Sequence, residues 1–266
     1  MIKMVLEFAG VLLLAACAAM PPVSPDVVSD IAPTGKLRVG INYGNPILAQ
    51  KDPATGEPRG VAVDLSRELA RRLGVPLEFV FYDAAGKMTD ALKTGAWDVA
   101  FLAVDPKRAA EISFTAPYVE IEGAYLVPAG SPIRSIEEVD REGVRIAVGA
   151  KSAYDLFLSR NLKHARLMRA ATFEETIDLF LTSKLDVLAG VKQPLAEAAA
   201  KIPGSRVLEG RFMVINQASG VPKGREAGAL YLRAFIEDAK ASGMVAESLK
   251  KSGITGVSVA PPAAVK

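Results

Sequence analysis

Apolar and polar positions change period repeatedly along this chain. Residues 37–41 alternate and predict a strand. Leu65, Leu69 and Leu73 then recur every fourth residue, with Arg67, Glu68, Arg71 and Arg72 on the opposite side. That is an amphipathic helix, capped by Asp64 and stopped by Gly74 and Pro76. Residues 77–82 predict a second strand, 87–93 a short helix and 98–102 a third strand. A second series follows, with strands at 144–148, 166–169 and 186–189. Ser135-Ile-Glu-Glu138 and Thr172-Phe-Glu-Glu175 both have the form of a helix-starting capping box. Phe173, Ile177, Phe180 and Leu181 make one apolar helix face. Strands alternating with helices define an α/β fold with largely parallel sheets. The series share a phrase, Leu92-Lys-Thr-Gly-Ala-Trp-Asp98-Val against Leu181-Thr-Ser-Lys-Leu-Asp186-Val, which predicts two similar lobes. Extended stretches at 123–128 and 216–222 are the expected crossings. Lobe 1 is then 36–126 plus 218–254, lobe 2 is 127–217, and 255–266 is a loose Pro/Ala-rich tail.

Ahead of the first strand lies a different pattern. Lys3 precedes an apolar stretch of 13 residues, 8–20, broken by one glycine. This is short for a membrane span and suits the core of a secretory leader. The sole cysteine falls in Leu14-Ala-Ala-Cys17, which resembles the lipobox of bacterial lipoproteins. Residues 1–17 are therefore expected to be a leader, with Cys17 lipidated, and 18–35 a stiff linker around Pro21, Pro22 and Pro25.

Composition removes several classes of function. The 266 residues carry 32 basic and 30 acidic side chains, net +2, with no basic stripe to suit a nucleic acid. One cysteine excludes a disulfide framework and a multi-thiolate zinc site, and one histidine, His164, excludes a His-rich metal site. The stretch Gly143–Ser152 has glycines and Lys151, but its Gly and Lys are not adjacent and the first glycine precedes a strand, so it is no phosphate loop. No strand-to-helix G-x-G-x-x-G and no G-x-S-x-G elbow is present. No cofactor is expected.

Several ordered phrases carry a resemblance. Gly35-Lys-Leu-Arg-Val-Gly-Ile41, Gly56-Glu-Pro-Arg-Gly60-Val-Ala-Val-Asp64-Leu, the step from Leu92 to Val99, and Pro106-Lys-Arg108-Ala-Ala-Glu111-Ile-Ser-Phe114-Thr-Ala-Pro117-Tyr118 stand in the order found in the family-3 extracellular solute-binding proteins of ABC importers. The chain resembles that family over about residues 35–253. The resemblance implies a two-lobed type II periplasmic-binding-protein fold, two α/β lobes joined by two extended crossings that close on a small solute. It implies an exported monomer, attached to a membrane through its N-terminal lipid only and partnered by a transporter permease. It also implies that Arg108 clamps a ligand carboxylate, a bidentate task suited to a guanidinium.

Strand ends and helix starts supply the other candidates. These are Asn42, Tyr43 and Asn45 after the first strand, Lys87 after the second, and Ala103 and Asp105 after the third. Lys151, Ser152 and Ala153 stand before a second-lobe helix, Glu122 on a crossing, and Gln193 after the last parallel strand. Three departures from the family stand out. Nine residues separate Asp98 from Arg108, two fewer than in the amino-acid binders. Ala84-Ala-Gly86 replaces an aromatic ahead of the second helix. Gly190-Val-Lys-Gln-Pro194 holds no acid where relatives place an aspartate for an α-amino group. Two other functions stay open on this fold: a prephenate- or arogenate-dehydratase-like enzyme, with Glu122 or Asp105 as acid, and a periplasmic sensor module.

Overall fold

The computed structural model describes residues 20 and 22–264. The expected leader and Cys17 lie outside the described residues. In lobe 1, strands β1 (Leu37–Asn42), β4 (Leu77–Tyr82) and β5 (Val99–Ala103) run parallel in the order β4-β1-β5. In lobe 2, β8 (Arg145–Gly149), β9 (Arg166–Ala170) and β10 (Val187–Val191) run parallel in the order β9-β8-β10. Each trio is extended by one antiparallel strand. β12 (Met213–Pro222) pairs with β5, and β7 (Val119–Val127) pairs with β10. A short β2–β3 ribbon (Gln50–Lys51, Pro58–Arg59) and β6 (Ile112–Phe114) complete lobe 1, and β11 (Arg206–Val207) edges lobe 2.

β7 and β12 also pair with each other, Val119–Gly123 against Met213–Gln217, and this ribbon joins the lobes. The residues expected to cross, 123–128 and 216–222, lie largely inside the sheets. Gly123 onward is already bonded to β10, and Gln217 onward to β5. An extended run shows where a strand is, not which neighbour it has at each position.

Both sheets are covered on two faces, as parallel strands require. In lobe 1, helices α2 (Val61–Leu73), α8 (Glu226–Ala241) and α9 (Met244–Lys251) pack over Val39, Ile41, Phe101 and Ile121. Trp97, fully buried, fills the other face with Met88 and Ile112 and donates its indole N–H to the Met88 carbonyl at 2.9 Å. Lobe 2 has one core around Tyr125, Ile146 and Leu158 and another around Phe180, Leu188 and Leu195. The shared phrase has a shared structure. Asp98 accepts from the backbone N–H and Nε of Arg38, and Asp186 accepts from the same two groups of Arg145. Each aspartate enters a strand and fastens the arginine of its neighbour. Asp98, wholly buried, also takes Arg225 at 3.2 Å.

Four local expectations change. α2 begins at Val61 behind Gly60, not at Asp64. Gly60 has φ +117°, and a Cβ there would lie 2.5 Å from the Leu48 carbonyl, so backbone packing sets the start. Ser135 precedes only a single 3-10 turn, Ile136–Glu138, and its side chain caps no N–H, while the Glu138 carboxylate accepts from the Arg134 N–H. The expected linker contains helix α1 (Pro25–Ile31), since Ser24 caps Val27 at 3.3 Å and Pro25 suits the first position. Val27 and Ile31 then bury against lobe 1, where the Asp30 carboxylate accepts from Gly228 of α8 and its carbonyl from Arg225. The expected loose tail is pinned as well. Strand β13 (Ser258–Val259) pairs with Glu120 and Val119, occupying an edge of β7 that β10 leaves bare. Beyond it, Lys240 of α8 donates to the Pro261 carbonyl and Glu237 accepts from Ala263. No helix among the described residues is long and apolar enough to cross a membrane.

Candidate functional site

Six parallel strands end at one place. A cavity of about 70 Å³ between the lobes is lined by Asn42, Asp83 and Ala103 from lobe 1 and by Ala150, Ala171 and Val191 from lobe 2. Each of these residues ends a parallel strand or directly follows one. Helices start there too: α3 (Ala85–Asp90) brings Ala84 and Ala85, α5 (Ala153–Asn161) brings Ser152 and Ala153, and α6 (Phe173–Thr182) brings Thr172 and Phe173. Ser152 accepts from the Asp155 N–H and Thr172 from the Glu175 N–H, so both side chains are fixed as N-caps. Unpaired backbone N–H groups and helix dipoles make such a place attractive to an anion. The crossing strand β12 adds Ile215 and Gln217, and Leu48, Phe101 and Pro194 make the rest of the wall largely apolar.

Arg108 is the cation of this cavity. It sits in α4 (Pro106–Ala109) and is 6% exposed. Nη1 donates to the Ala103 carbonyl at 2.8 Å and Nη2 crosses to the Lys151 carbonyl at 2.9 Å. Its Nε–H is buried and has no partner among the described residues. Burial lowers the guanidinium pKa to about 10, against the pull of nearby Asp105 that raises it, so the group stays charged at neutral pH. No carboxylate among the described residues is hydrogen-bonded to it. Beside it stands Tyr154, whose hydroxyl is pushed up to about 12 by burial and drawn partly back by Ser152.

The lobes are closed on each other around this point. Lys151 has φ +56°, a left-handed conformation that a side chain disfavours. Three contacts hold it: its carbonyl to Arg108, its N–H to Asp155 at 2.7 Å, and its ammonium to Asp90 of lobe 1 at 2.6 Å. Arg160 of lobe 2 reaches Asp105 of lobe 1 at 2.6 Å, while the other oxygen of Asp105 caps α4 through the Lys107 N–H. Gly86 lies against the Ala150 carbonyl, with no room for a Cβ.

Of the residues singled out in the sequence, Asn42, Asn45, Ala103, Arg108, Ser152 and Ala153 line the cavity. The others are placed elsewhere. Tyr43 stacks on Phe81 at 4.8 Å in an outer groove that also holds Lys87, whose ammonium pairs with Asp83 at 2.7 Å. Asp105 and Lys151 serve the lobe–lobe contacts just described. Glu122 is bound by Lys192 at 2.8 Å and Arg211 at 2.9 Å, on a surface beside the C-terminal segment. Gln193 donates to the Gly256 carbonyl at 2.7 Å, tying lobe 2 to that same segment. His164 is exposed and Tyr118 wholly buried. Sequence reasoning missed Tyr154, Ile215 and Gln217, and within Gly190–Pro194 it chose Gln193 where Val191 lines the cavity. Only Tyr154 carried a signal, standing directly after the Ser152–Ala153 helix start.

Two α/β lobes, joined by a two-stranded ribbon and facing each other across the carboxyl ends of their strands, are the architecture of the type II periplasmic binding proteins. Comparison with solved structures agrees on the fold. A solute receptor for L-cysteine from Neisseria gonorrhoeae matches with a TM-score of 0.73 at 23% identity, covering 86% of this chain and 95% of that one. A mutant of ArgBP from T. maritima matches with a TM-score of 0.72 at 22% identity, covering 85% and 99%. In sequence, the chain is 24% identical over 254 residues to the ABC transporter glutamine-binding protein GlnH of Bacillus subtilis strain 168, which spans 91% of this chain and 92% of that protein. The model of the bacterial extracellular solute-binding proteins, family 3, matches residues 37–253, and the chain belongs to that family.

Proposed function

We propose that this protein is the solute-capturing component of an ABC importer, enclosing a small carboxylate or amino-acid-like solute between its lobes and delivering it to a permease. The observation that carries this reading is Arg108, a buried cation with an unpartnered N–H beside a cavity where strand ends and helix starts converge. A solute entering between parted lobes meets Arg108 on lobe 1 first. Closure then brings up Ser152, Thr172 and the backbone N–H groups of their helices, so the anion is shared by both lobes. Rotation about the β7–β12 ribbon brings this about with little change inside either lobe. The relation to the Bacillus subtilis glutamine-binding protein supports the importer role.

A thermal-shift screen of the purified protein against amino acids, hydroxy acids and dicarboxylates tests the reading. A solute at 100 times its Kd adds about 2.7 kcal/mol, equivalent to a rise of roughly 5–10 °C at this size. Arg108→Ala should weaken binding by about 2–5 kcal/mol. A shift from no solute, or one that survives Arg108→Ala, would overturn the proposal. Attachment to the membrane through Cys17 belongs to the same proposal and rests on the lipobox-like sequence. Cys17→Ser should move the protein from the membrane to the soluble extracytoplasmic fraction, and wild-type protein already soluble there would refute it.

A further inference from the structure

The charges around the cavity do not balance, and the imbalance has one sign. Arg108 supplies a full positive charge, and the starts of α5 and α6 add partial positive charge from the other lobe. Asp83, the acidic residue that lines the cavity, and the carboxylates that brace its walls already have their own cations. Asp83 is paired with Lys87 at 2.7 Å, Asp105 with Arg160 at 2.6 Å, Asp155 with Arg169 at 2.9 Å and Glu122 with Lys192 at 2.8 Å. At the end of β10, where the two lobes meet, the wall is Val191. A carboxylate entering this space completes Arg108. An ammonium entering it meets no unpaired carboxylate among the lining residues and gives up its water.

Size narrows the class further. At about 70 Å³ the cavity, still partly open to solvent, is less than half the roughly 150 Å³ that holds a benzene molecule. Resting on the reading of the protein as a solute receptor, we propose that its ligand is a short monocarboxylate of two or three carbons bearing no ammonium group, such as a simple or hydroxy-substituted acid. The guanidinium and the helix starts take the carboxylate, and Leu48, Phe101 and Val191 take the carbon end.

Matched pairs decide the matter on the wild-type protein. Glycolate and glycine, and lactate and alanine, share a skeleton and differ by a hydroxyl against an ammonium. Acetate and methylammonium then separate the two charges. Calorimetry should show glycolate and lactate binding at least tenfold more tightly than glycine and alanine, with acetate binding and methylammonium not. Equal or tighter binding of glycine or alanine would overturn the inference while leaving the receptor reading intact. So would tight binding of a larger solute such as glutamine. Silence from every one of these solutes, glutamine included, would count against both.

Discussion

Arg160→Ala should weaken solute binding without unfolding the protein. In the closed molecule Asp105 is buried, its side chain 3% exposed, and it spends one oxygen on the Lys107 N–H and the other on Arg160. With the lobes apart, that second oxygen faces water and needs no arginine. Removing Arg160 therefore strands a carboxylate oxygen in the closed state alone. An unsatisfied group of this kind costs about 1–3 kcal/mol, more when charged. Arg160 is itself 43% exposed, so solvent already screens the pair, and water can reach part of the gap. About 1–2 kcal/mol is the appropriate range, or roughly a 5–30-fold loss in apparent affinity, because binding pays for closure. Calorimetry with the solute found by screening measures the loss. The melting temperature without solute should stay within about 2 °C, since neither core is touched. A cycle with Asp105→Asn isolates the pair, and the double variant should bind better than the sum of the two losses predicts. An affinity within twofold of wild type, or full additivity in the cycle, would refute the assignment of this ion pair to closure.

Gly86→Ala places a Cβ 2.9 Å from the Ala150 carbonyl and 3.0 Å from Lys151 Cβ, propping the lobes apart. Affinity should fall by about 1–3 kcal/mol with the unliganded melting temperature nearly unchanged, and an unaltered Kd would contradict this. Asp98→Ala leaves Arg38 and Arg225 facing an empty buried site. Because both stay partly solvated, the low end of the usual range applies, about 3 kcal/mol, seen as a fall in Tm of roughly 6–12 °C. A change under about 2 °C would refute it. Glu68 is held at about 2 by hydrogen bonds from Arg71 and then Arg72, and Glu122 and Asp83 are lowered by Lys192 and Lys87. These folded-state pKa values lie below the unfolded ones, so the stability they give is complete above the ordinary carboxylate range. It is lost as pH falls from about 4.5 toward 2. A Tm that stays flat or rises between pH 5 and pH 3 would contradict the sign.

The sequence was most readable where chemistry and backbone geometry are local. Thr172 caps Glu175 as the spacing predicts, though the Glu175 carboxylate returns to Ala171 and not to Thr172, and the two Asp-Val phrases become the same arginine clamp in each lobe. Arg108 was visible because its flanking phrase is contiguous. Glu122, Asp105, Lys87 and Lys151 were visible as charges, but a charge does not show along the chain which partner will neutralise it. Three of those partners, Lys192, Arg160 and Asp90, lie 55 or more residues away in sequence. Gln217 and Ile215 reach the cavity because β12 returns between the lobes at that register, and nothing in their own neighbourhood marks it. The tail looked loose because prolines and alanines form no amphipathic element. Its order comes from the edge of β7 and from α8, both far upstream of it.

Helix α8 receives both ends of the described chain, α1 near Gly228 and the tail near Glu237 and Lys240. These grips lie roughly 15 Å apart along its axis. A load applied between the two ends therefore runs through lobe 1, and lobe 2 touches the C-terminal segment through Gln193 on the Gly256 carbonyl. If the chain is held by its N-terminal side, lobe 1 is the stator and lobe 2 the swinging arm. A fluorophore or surface tether fixed to either end will ride with the stator and barely sense the stroke. The loop at Lys163 and His164, exposed on the far lobe and braced by Asp140, is the place from which motion can be read.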